Sequence, residues 1–248
     1  MTRLSIHIGH FLFRHMFPVY NIIYPVFKKR QDKREISILR EYVKPDDVVL
    51  DIGANIGFYT QILSRLVGNG GKVYAFEPDL LNFKRLQKNC GSLPNVALNH
   101  KAVSDSTGKI KLYKSALLNV DHRTYPGDYY ESVEEIACIC GDEFFPDATR
   151  IDFIKIDIQG YETAAFRGMS KILSQNPQIK ILSEFWPHGL QQAGENAESF
   201  LRIFWNAGFQ VFLVTDDDFE SITPENWQHH NHQGFSAYMN IFVTRNLH

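Results

Sequence analysis

The sequence predicts an α/β protein built on a mostly parallel sheet with helices on both faces. After residue 45, short apolar runs of strand length alternate with amphipathic segments of helical length, which is the order of a parallel sheet with crossover helices. The first of these runs leads into a turn of small residues and then into a helix. With 248 residues, 44% of them hydrophobic and 22% charged, the chain can bury a large core without disulfide or metal crosslinks.

The predicted elements follow from apolar runs, residue periods and turn residues. Strands are predicted at 48–51, 72–76, 96–103, 109–113, 151–156, 179–183, 209–214 and 238–244. Helices are predicted at 36–43, 58–67, 79–90, 161–172 and 195–207. Residues 114–150 show no clear period, and a connection of that length inside a compact domain is usually functional.

Residues 1–30 are predicted to form an N-terminal arm, and residues 31–248 a single domain. The arm is apolar and ends in three basic residues at 28–30. Pro18 and Pro25 are expected to break its apolar run, so it is predicted to be neither a signal peptide nor a transmembrane helix. Two roles stay open, packing on the domain or on the partner of a homodimer, and peripheral contact with a membrane surface. We expect the arm to stand apart from the ligand site.

Composition argues against some classes of partner. The formal net charge of −2 gives no global field that would attract a polyanion, so no nucleic acid partner is expected. The three cysteines, Cys90, Cys138 and Cys140, fit neither a disulfide framework nor a four-ligand zinc site. A reducing compartment is the natural interpretation, and we expect a cytoplasmic protein.

The most informative segment is the small-residue turn Asp-Ile-Gly-Ala-Asn-Ile-Gly, from Asp51 to Gly57. Gly53 and Gly57 allow the backbone to bend and a ligand to approach closely, and Asn55 tolerates a left-handed conformation. A dinucleotide-binding fingerprint would need glycine where Asn55 and Phe58 stand. A pyrophosphate-binding turn is therefore disfavoured, and an NAD-linked oxidoreductase remains only as an alternative.

A carboxylate follows this turn at the spacing typical of nucleotide-binding α/β folds. Glu77 lies twenty residues after Gly57 and is followed by Pro78, and a carboxylate in this place accepts both protons of a ribose diol. Asp51, Glu77 and Asp157 all fall at predicted strand ends, which share one edge of a parallel sheet. Negative charge at this edge suits a sulfonium cation and repels a pyrophosphate. These residues favour S-adenosylmethionine over NAD.

Four blocks of the sequence resemble the FkbM family of S-adenosylmethionine-dependent O-methyltransferases. The blocks are the turn at 51–57, Phe-Glu-Pro at 76–78, the segment 99–108, and Phe-Ile-Lys-Ile-Asp-Ile-Gln-Gly-Tyr-Glu at 153–162. They lie within residues 45–185, most of the domain. The resemblance implies a Rossmann-like methyltransferase fold with a mostly parallel seven-stranded sheet, helices on both faces and an antiparallel last strand. Residues 31–248 would then be the methyltransferase domain.

The resemblance also implies which residues hold the cofactor. The methionine end would lie near the turn, the ribose on a carboxylate, and the adenine between two residues of the third block. The predicted cofactor-binding residues are Asp51, Gly53, Asn55 and Gly57 for the methionine end, Glu77 for the ribose, Ala102 and Val103 for the adenine, and the neighbouring Tyr59 and Pro78.

Transfer of a methyl group to oxygen requires that the acceptor be positioned and, where needed, lose its proton. The predicted catalytic residues are Asp157, Lys155, Glu184, His122 and His188. Lys155 and Asp157 share one face of a strand, and a buried structural ion pair is the alternative for them. His122 titrates near neutrality and lies in a stretch that resembles part of the family, although a merely solvated loop histidine fits equally well.

Asp157 and Glu184 are placed like the carboxylate ligands of metal-dependent catechol-type methyltransferases, but no third ligand is visible in the sequence. We therefore expect no metal. The expected acceptor is a hydroxyl of a sugar, glycan or small metabolite. Besides the oxidoreductase, for which no Tyr-x-x-x-Lys motif is visible, a non-catalytic S-adenosylmethionine-binding subunit stays open. The polar residues around Asp157 argue against this last alternative.

Overall fold

The computed structural model describes residues 9, 11–115, 122–126, 130–232, 234 and 237–247. The strands are β1 Val48–Ile52, β2 Lys72–Phe76, β3 Val96–Asn99, β4 Ala102–Ser104, β5 Gly108–Ser115, β6 Tyr130–Cys140, β7 Phe153–Ile156, β8 Lys180–Phe185, β9 Gln210–Val214, β10 Phe219–Ile222 and β11 Met239–Thr244. The helices are α1 Phe17–Gln31, α2 Lys33–Tyr42, α3 Phe58–Val67, α4 Leu80–Cys90, α5 Gly141–Phe144, α6 Glu162–Arg167, α7 Ser170–Gln175, α8 Pro187–Gln192 and α9 Ala197–Asn206.

A large sheet forms the centre of the chain, with the strand order β10-β9-β11-β8-β7-β1-β2-β3. Five neighbouring strands pair in parallel, in the order β8, β7, β1, β2 and β3. Strand β11 lies antiparallel between β8 and β9. The mostly parallel sheet and its antiparallel last strand are confirmed. The sheet has eight strands rather than seven, because a turn closed by Thr215 and Asp218 returns the chain as β10 along the edge of β9.

Three predicted elements differ from the structure. The strand predicted at 96–103 is two strands, β3 in the large sheet and β4 in a separate sheet of order β4-β6-β5. Strand β6 lies inside 114–150, where no period is visible because its first half is exposed on both faces. The helix predicted at 161–172 is divided at Gly168, where a Cβ atom would lie 2.0 Å from the carbonyl oxygen of Ser104.

Alternate side chains of β1 enter two hydrophobic cores on opposite faces of the large sheet. Leu50 and Ile52 pack in the core that contains Phe200 of α9, whereas Val49 packs in the core that contains Leu63 of α3. Full burial of such side chains contributes about 1.5–3 kcal/mol each. Helices therefore cover both faces, as predicted, and they fix the position of the carboxyl end of β1.

The described part of the N-terminal arm is largely helical and packs on the domain. Helix α1 runs through Pro25, where the sequence predicted a break. Pro18 lies in the first turn, where no N–H is needed, and packing of the inner face offsets the hydrogen bond that Pro25 cannot donate. Tyr20 is buried. The ring of Phe13, which lies before α1, is under the guanidinium of Arg85, with 3.5 Å between the ring centroid and the guanidinium carbon. Within the described residues, no helix has both the length and the apolar character needed to cross a membrane.

Replacement of Gly57 tests the packing that holds the turn. Gly57 has a φ of +89°, and an added Cβ atom would lie 2.5 Å from Cys90 Sγ and 2.8 Å from Leu86 Cδ1. Left-handed strain costs about 1–2 kcal/mol, and overpacking adds about 1–3 kcal/mol. We expect Gly57→Ala to lower the free energy of unfolding, measured by urea denaturation, by the sum of the strain cost and the overpacking cost.

Gly194→Ala is the matched control, because Gly194 has a φ of +84° and nothing lies within 4 Å of its added Cβ atom. We expect this variant to show the strain cost alone, about 1–2 kcal/mol. Equal losses of stability in the two variants would contradict the packing role that the structure gives to Gly57.

Candidate functional site

Four predicted carboxyl groups meet at one edge of the large sheet. Asp51 lies on β1, Glu77 follows β2 and Asp157 follows β7, while β8 beside β7 carries Glu184. The four strands are parallel neighbours, so their carboxyl ends share one edge. The structure therefore brings together the acidic residues that the sequence assigned to the cofactor and to catalysis.

The turn after β1 has the left-handed residues that its sequence predicts. The φ angles are +82° at Gly53, +50° at Asn55 and +89° at Gly57. A Cβ atom on Gly53 would lie 2.1 Å from the carbonyl oxygen of Asp157. Packing within the protein therefore favours glycine at Gly53 and Gly57, and the close approach of a ligand to this turn stays a prediction.

Glu77 is held in one orientation by the backbone. Its Oε2 accepts a hydrogen bond from Asn55 N–H and its Oε1 one from Asp79 N–H, both at 2.8 Å. Burial raises the pKa of Glu77 to about 8, although these two N–H groups oppose the shift. A carboxylate oxygen has two lone pairs, so both oxygens can also accept from a diol. The carbonyl oxygen of the adjacent Pro78 lies 3.0 Å from His100 Nε2.

Asp51 and Lys155 are register partners on adjacent strands, and both are buried. Asp51 Oδ2 accepts a hydrogen bond from Thr60 at 2.6 Å, whereas its Oδ1 has no hydrogen-bond partner among the residues that the structure describes. Burial raises the pKa of Asp51 against the opposing charge of Lys155. The Lys155 Nζ also lies 3.7 Å from Asp157 Oδ2 and 4.7 Å from the centroid of the Tyr59 ring. The geometry thus contains the ion pair that was the structural alternative for Lys155.

Asp157, which follows β7, and Glu184, which lies on β8, have pKa values shifted in opposite directions. Burial opposes ionisation of Asp157, but the ammonium groups of Lys155 and Lys28 outweigh it and lower its pKa. Burial, with the charges of Asp157 and Glu162, raises the pKa of Glu184 well above its ordinary value. Asp157 is therefore the more readily ionised of the two groups, and Glu184 is the one that keeps its proton more readily.

Gln159, one of the polar residues that follow β7, links these two groups. Its Nε2 donates to Asp157 Oδ1 at 2.9 Å and to Glu184 Oε2 at 3.2 Å. Its φ of +59° is uncommon for a residue other than glycine, and such strain is often found at functional sites. The Tyr125 hydroxyl donates to the carbonyl oxygen of Gln159 at 2.6 Å. In the described residues, no three His, Cys, Asp or Glu side chains form a group that could hold a metal ion.

The two predicted catalytic histidines have different surroundings. His122 Nδ1 accepts from Ser115 N–H at 3.1 Å, and its Nε2 lies 4.0 Å from Asp79 Oδ2. Burial lowers the pKa of His122, so the neutral ring carries its proton on Nε2. To act as a general base, it would first have to break the Nδ1 hydrogen bond. His188 lies on α8, with its ring centroid 5.6 Å from that of Trp186.

An arginine and aromatic rings lie near His188. The Arg123 guanidinium lies 4.8 Å from the centroid of the Trp186 ring and 5.7 Å from that of Tyr125. Arg123, Trp186 and Tyr125 are buried. They come from the stretch at 121–125 and from the end of β8, and residue 121 lies outside the described residues. The described part of the long connection is thus placed beside Gln159 and β8.

Three other predicted cofactor residues are packed within the protein. The Tyr59 hydroxyl donates to the carboxylate of Asp32 between α1 and α2. Ala102 and Val103 are buried on β4, each in a different hydrophobic cluster. Contacts of these three residues with an adenine or a methionine moiety stay predictions.

The described part of the N-terminal arm packs near the site, and our expectation that it takes no part in cofactor binding stays a prediction. Lys28 Nζ lies 2.6 Å from Asp32 Oδ2, and its charge helps to lower the pKa of Asp157. The Tyr24 ring packs edge-on against Phe58, with 6.2 Å between the centroids. A boundary at residue 30 would divide α1, because a local change in composition does not show which residues pack together.

Comparison with known proteins identifies relatives for most of this region. A family model described as the methyltransferase FkbM domain matches residues 51–211. The hexuronic acid methyltransferase AglP of Haloferax volcanii is 30% identical over 148 residues, which are 58% of this chain and 59% of AglP. The 2-O-methyltransferase NoeI of Sinorhizobium fredii is 37% identical over 82 residues, which are 33% of this chain and 32% of NoeI. Both alignments cover less than two thirds of the relative's own length.

The fold is shared with solved structures. A putative rRNA methylase from Clostridium thermocellum has a TM-score of 0.51 and 14% identity, over 86% of this chain and 93% of that protein. At this identity the likeness shows the fold alone.

The pKa of Glu77 leads to a pH test. Only the carboxylate can accept both protons of a diol, so the binding-competent fraction falls as pH drops below about 8. An affinity that depends on this fraction decreases by up to about tenfold per pH unit. We expect the affinity for S-adenosylhomocysteine, measured by calorimetry, to rise as the pH increases towards 8 and then to level off.

Glu77→Gln is the control, because an amide cannot ionise. It should bind about tenfold or more weakly above pH 8, and its affinity should rise less between pH 6 and pH 8 than that of the unmodified protein. Identical pH profiles for the variant and the unmodified protein would remove Glu77 from the binding site.

Proposed function

Because the chain belongs to the FkbM methyltransferase family, we propose that it transfers a methyl group from S-adenosylmethionine to a hydroxyl oxygen. The proposed acceptor is a hydroxyl of a sugar, a glycan or a small metabolite. The two relatives, a hexuronic acid methyltransferase and a 2-O-methyltransferase, support a sugar.

The observation that carries this proposal is the excess of acidic groups at the carboxyl edge, which is the edge formed by the carboxyl ends of β2, β1, β7 and β8; Asp51 and Glu77 are buried there. Asp51, Glu77 and Asp157 meet there, and Asp51 Oδ1 has no hydrogen-bond partner among the described residues. A buried acceptor without a partner costs about 1–3 kcal/mol, and a cationic ligand that donates hydrogen bonds would remove this cost. S-adenosylmethionine fits, because its ammonium group donates hydrogen bonds and its sulfonium is positively charged.

In this proposal, different residues of the carboxyl edge bind different parts of the ligand. Asp51 accepts a hydrogen bond from the ammonium group of the methionine end, and Glu77 accepts from the ribose diol. When bound, S-adenosylmethionine supplies an electrophilic methyl carbon attached to a positively charged sulfur. Lys155 holds Asp51 and Asp157 in place from inside the protein.

Asp157 is the proposed proton acceptor. The acceptor oxygen bonds to the methyl carbon, the carbon–sulfur bond breaks with its electron pair left on sulfur, and the hydroxyl proton passes to the carboxylate. The pKa of Asp157 is lowered, which makes it a weak base, but a hydroxyl becomes strongly acidic as its oxygen gains the methyl group. A positioned carboxylate of low pKa is therefore sufficient.

The acceptor-binding side is proposed to include Trp186, Arg123, His188 and Glu184. Trp186 and Arg123 are buried against each other and support this side from within the protein. The partly exposed His188 and Glu184 can form hydrogen bonds with sugar hydroxyls. The positive charge of Arg123 also favours an acidic sugar.

Paired amide substitutions test these roles. Asp157→Asn removes the proton acceptor, so turnover should fall by about 100-fold or more. Glu184→Gln keeps the shape of the side chain and its capacity for hydrogen bonds, so turnover should change by about tenfold or less. The measurement is formation of S-adenosylhomocysteine and of methylated product by mass spectrometry, with a panel of hexuronosides and neutral hexosides.

Calorimetry with S-adenosylhomocysteine shows whether both variants remain folded and able to bind the cofactor. Normal turnover in Asp157→Asn would remove Asp157 from the reaction. A protein that binds S-adenosylmethionine but methylates no hydroxyl of the panel would contradict the proposed acceptor class.

A further inference from the structure

Helix α1 has an apolar face that nothing covers in the described part of the chain. Ile22 and Val26 are 73% and 71% exposed, and Val19, Ile23 and Phe27 are exposed beside them. These five positions follow the i, i+3, i+4 spacing of one helix face. They form a continuous stripe, which we call the outer stripe, about 12 Å long from first to last residue.

The end of the stripe is strongly basic. Lys29, Arg30 and Lys33 are exposed, and none has an ion-pair partner within the part of the chain that the structure describes. Helix α1 contains no acidic residue. An apolar face with cations at one end is complementary to a surface that is apolar inside and negatively charged at its boundary.

A second copy of the chain fits this surface less well. A stable dimer buries about 800 Å² on each protomer, with roughly 20–30 residues a side, and five side chains of one helix provide only a fraction of that area. A symmetric contact would also bury no negative charge against the basic end. By contrast, a short amphipathic segment is sufficient to bind a lipid surface when apolar burial and charge attraction act together.

The opposite face of α1 lies on the cofactor side of the domain. Tyr20 packs with Ile56 of the turn after β1, and Tyr24 packs on Phe58 at the start of α3. Lys28 is close enough to Asp157 for its charge to act there. The outer stripe therefore lies on the same side of the molecule as the carboxyl edge.

From these observations we infer that the outer stripe and its basic end bind an anionic lipid surface, with α1 lying in the plane of that surface. This binding goes beyond the proposed methyl transfer and does not depend on which hydroxyl is methylated. It holds the carboxyl edge near the lipid, where an acceptor attached to a lipid would be within reach.

Sedimentation with vesicles tests the inference on the full chain. One set of vesicles is phosphatidylcholine alone, and the other contains phosphatidylglycerol as well. The protein should bind the anionic vesicles, and more weakly as salt is added, because salt screens the basic end. Ile22→Ser with Val26→Ser should weaken binding by roughly 30-fold or more, since both exposed side chains lose their apolar groups. Lys29→Glu with Arg30→Glu should weaken it by roughly tenfold or more.

The controls are an exposed apolar residue and an exposed lysine of the small sheet, Val133→Ser and Lys111→Glu, which should bind vesicles as the unmodified protein does. Unchanged affinity for S-adenosylhomocysteine shows that the variants are folded. Absence of vesicle binding, or equal binding by the stripe variants and the controls, would overturn the inference. A dimer in analytical ultracentrifugation that Ile22→Ser with Val26→Ser converts to monomers would also overturn it, since a second copy would then cover the stripe.

Discussion

The acidic groups of the carboxyl edge depend on their interaction with the buried ammonium group of Lys155. A carboxylate is costly to bury unless an opposite charge or hydrogen bonds compensate. Lys155 faces Asp51 across two strands and lies 3.7 Å from Asp157, with the ring of Tyr59 beside it. One cation therefore supports two acidic groups on neighbouring strands.

The charge of Lys155 compensates the acidic groups of the edge only in part. The pKa of Asp51 stays raised in spite of Lys155, and the pKa values of Glu162 and Glu184 are raised as well, that of Glu162 to about 7. The edge thus holds acidic groups that lack full compensation by the protein's own cations. A positively charged ligand is the natural complement of such a site, which connects the packing of the sheet to the proposed methyl transfer from a sulfonium.

The same regions show how much of the structure the sequence could predict. Strands β1, β2, β7 and β8 are predicted because they are buried apolar runs, and the turn after β1 because Gly53, Asn55 and Gly57 favour left-handed angles. Strand β6 and the course of α1 through Pro25 are not predicted. The first half of β6 has no buried face, and α1 is fixed by packing with residues far along the chain.

Within the site, the carboxylates are predicted because each one ends or follows a strand. Lys28 is missed, and so is the link that Gln159 forms between Asp157 and Glu184, since both depend on contacts between segments that are distant in sequence. The reason for glycine at Gly53 is also hidden from the sequence, because only the folded chain brings the carbonyl oxygen of Asp157 against it.

The most direct test of this account is a crystal structure of the protein with S-adenosylhomocysteine. The ligand should lie at the carboxyl edge, with its ribose hydroxyls bound by Glu77 and its ammonium group hydrogen-bonded to Asp51 or Asp157. A ligand bound elsewhere, or a ribose that makes no contact with Glu77, would contradict the assignment of this edge as the cofactor site.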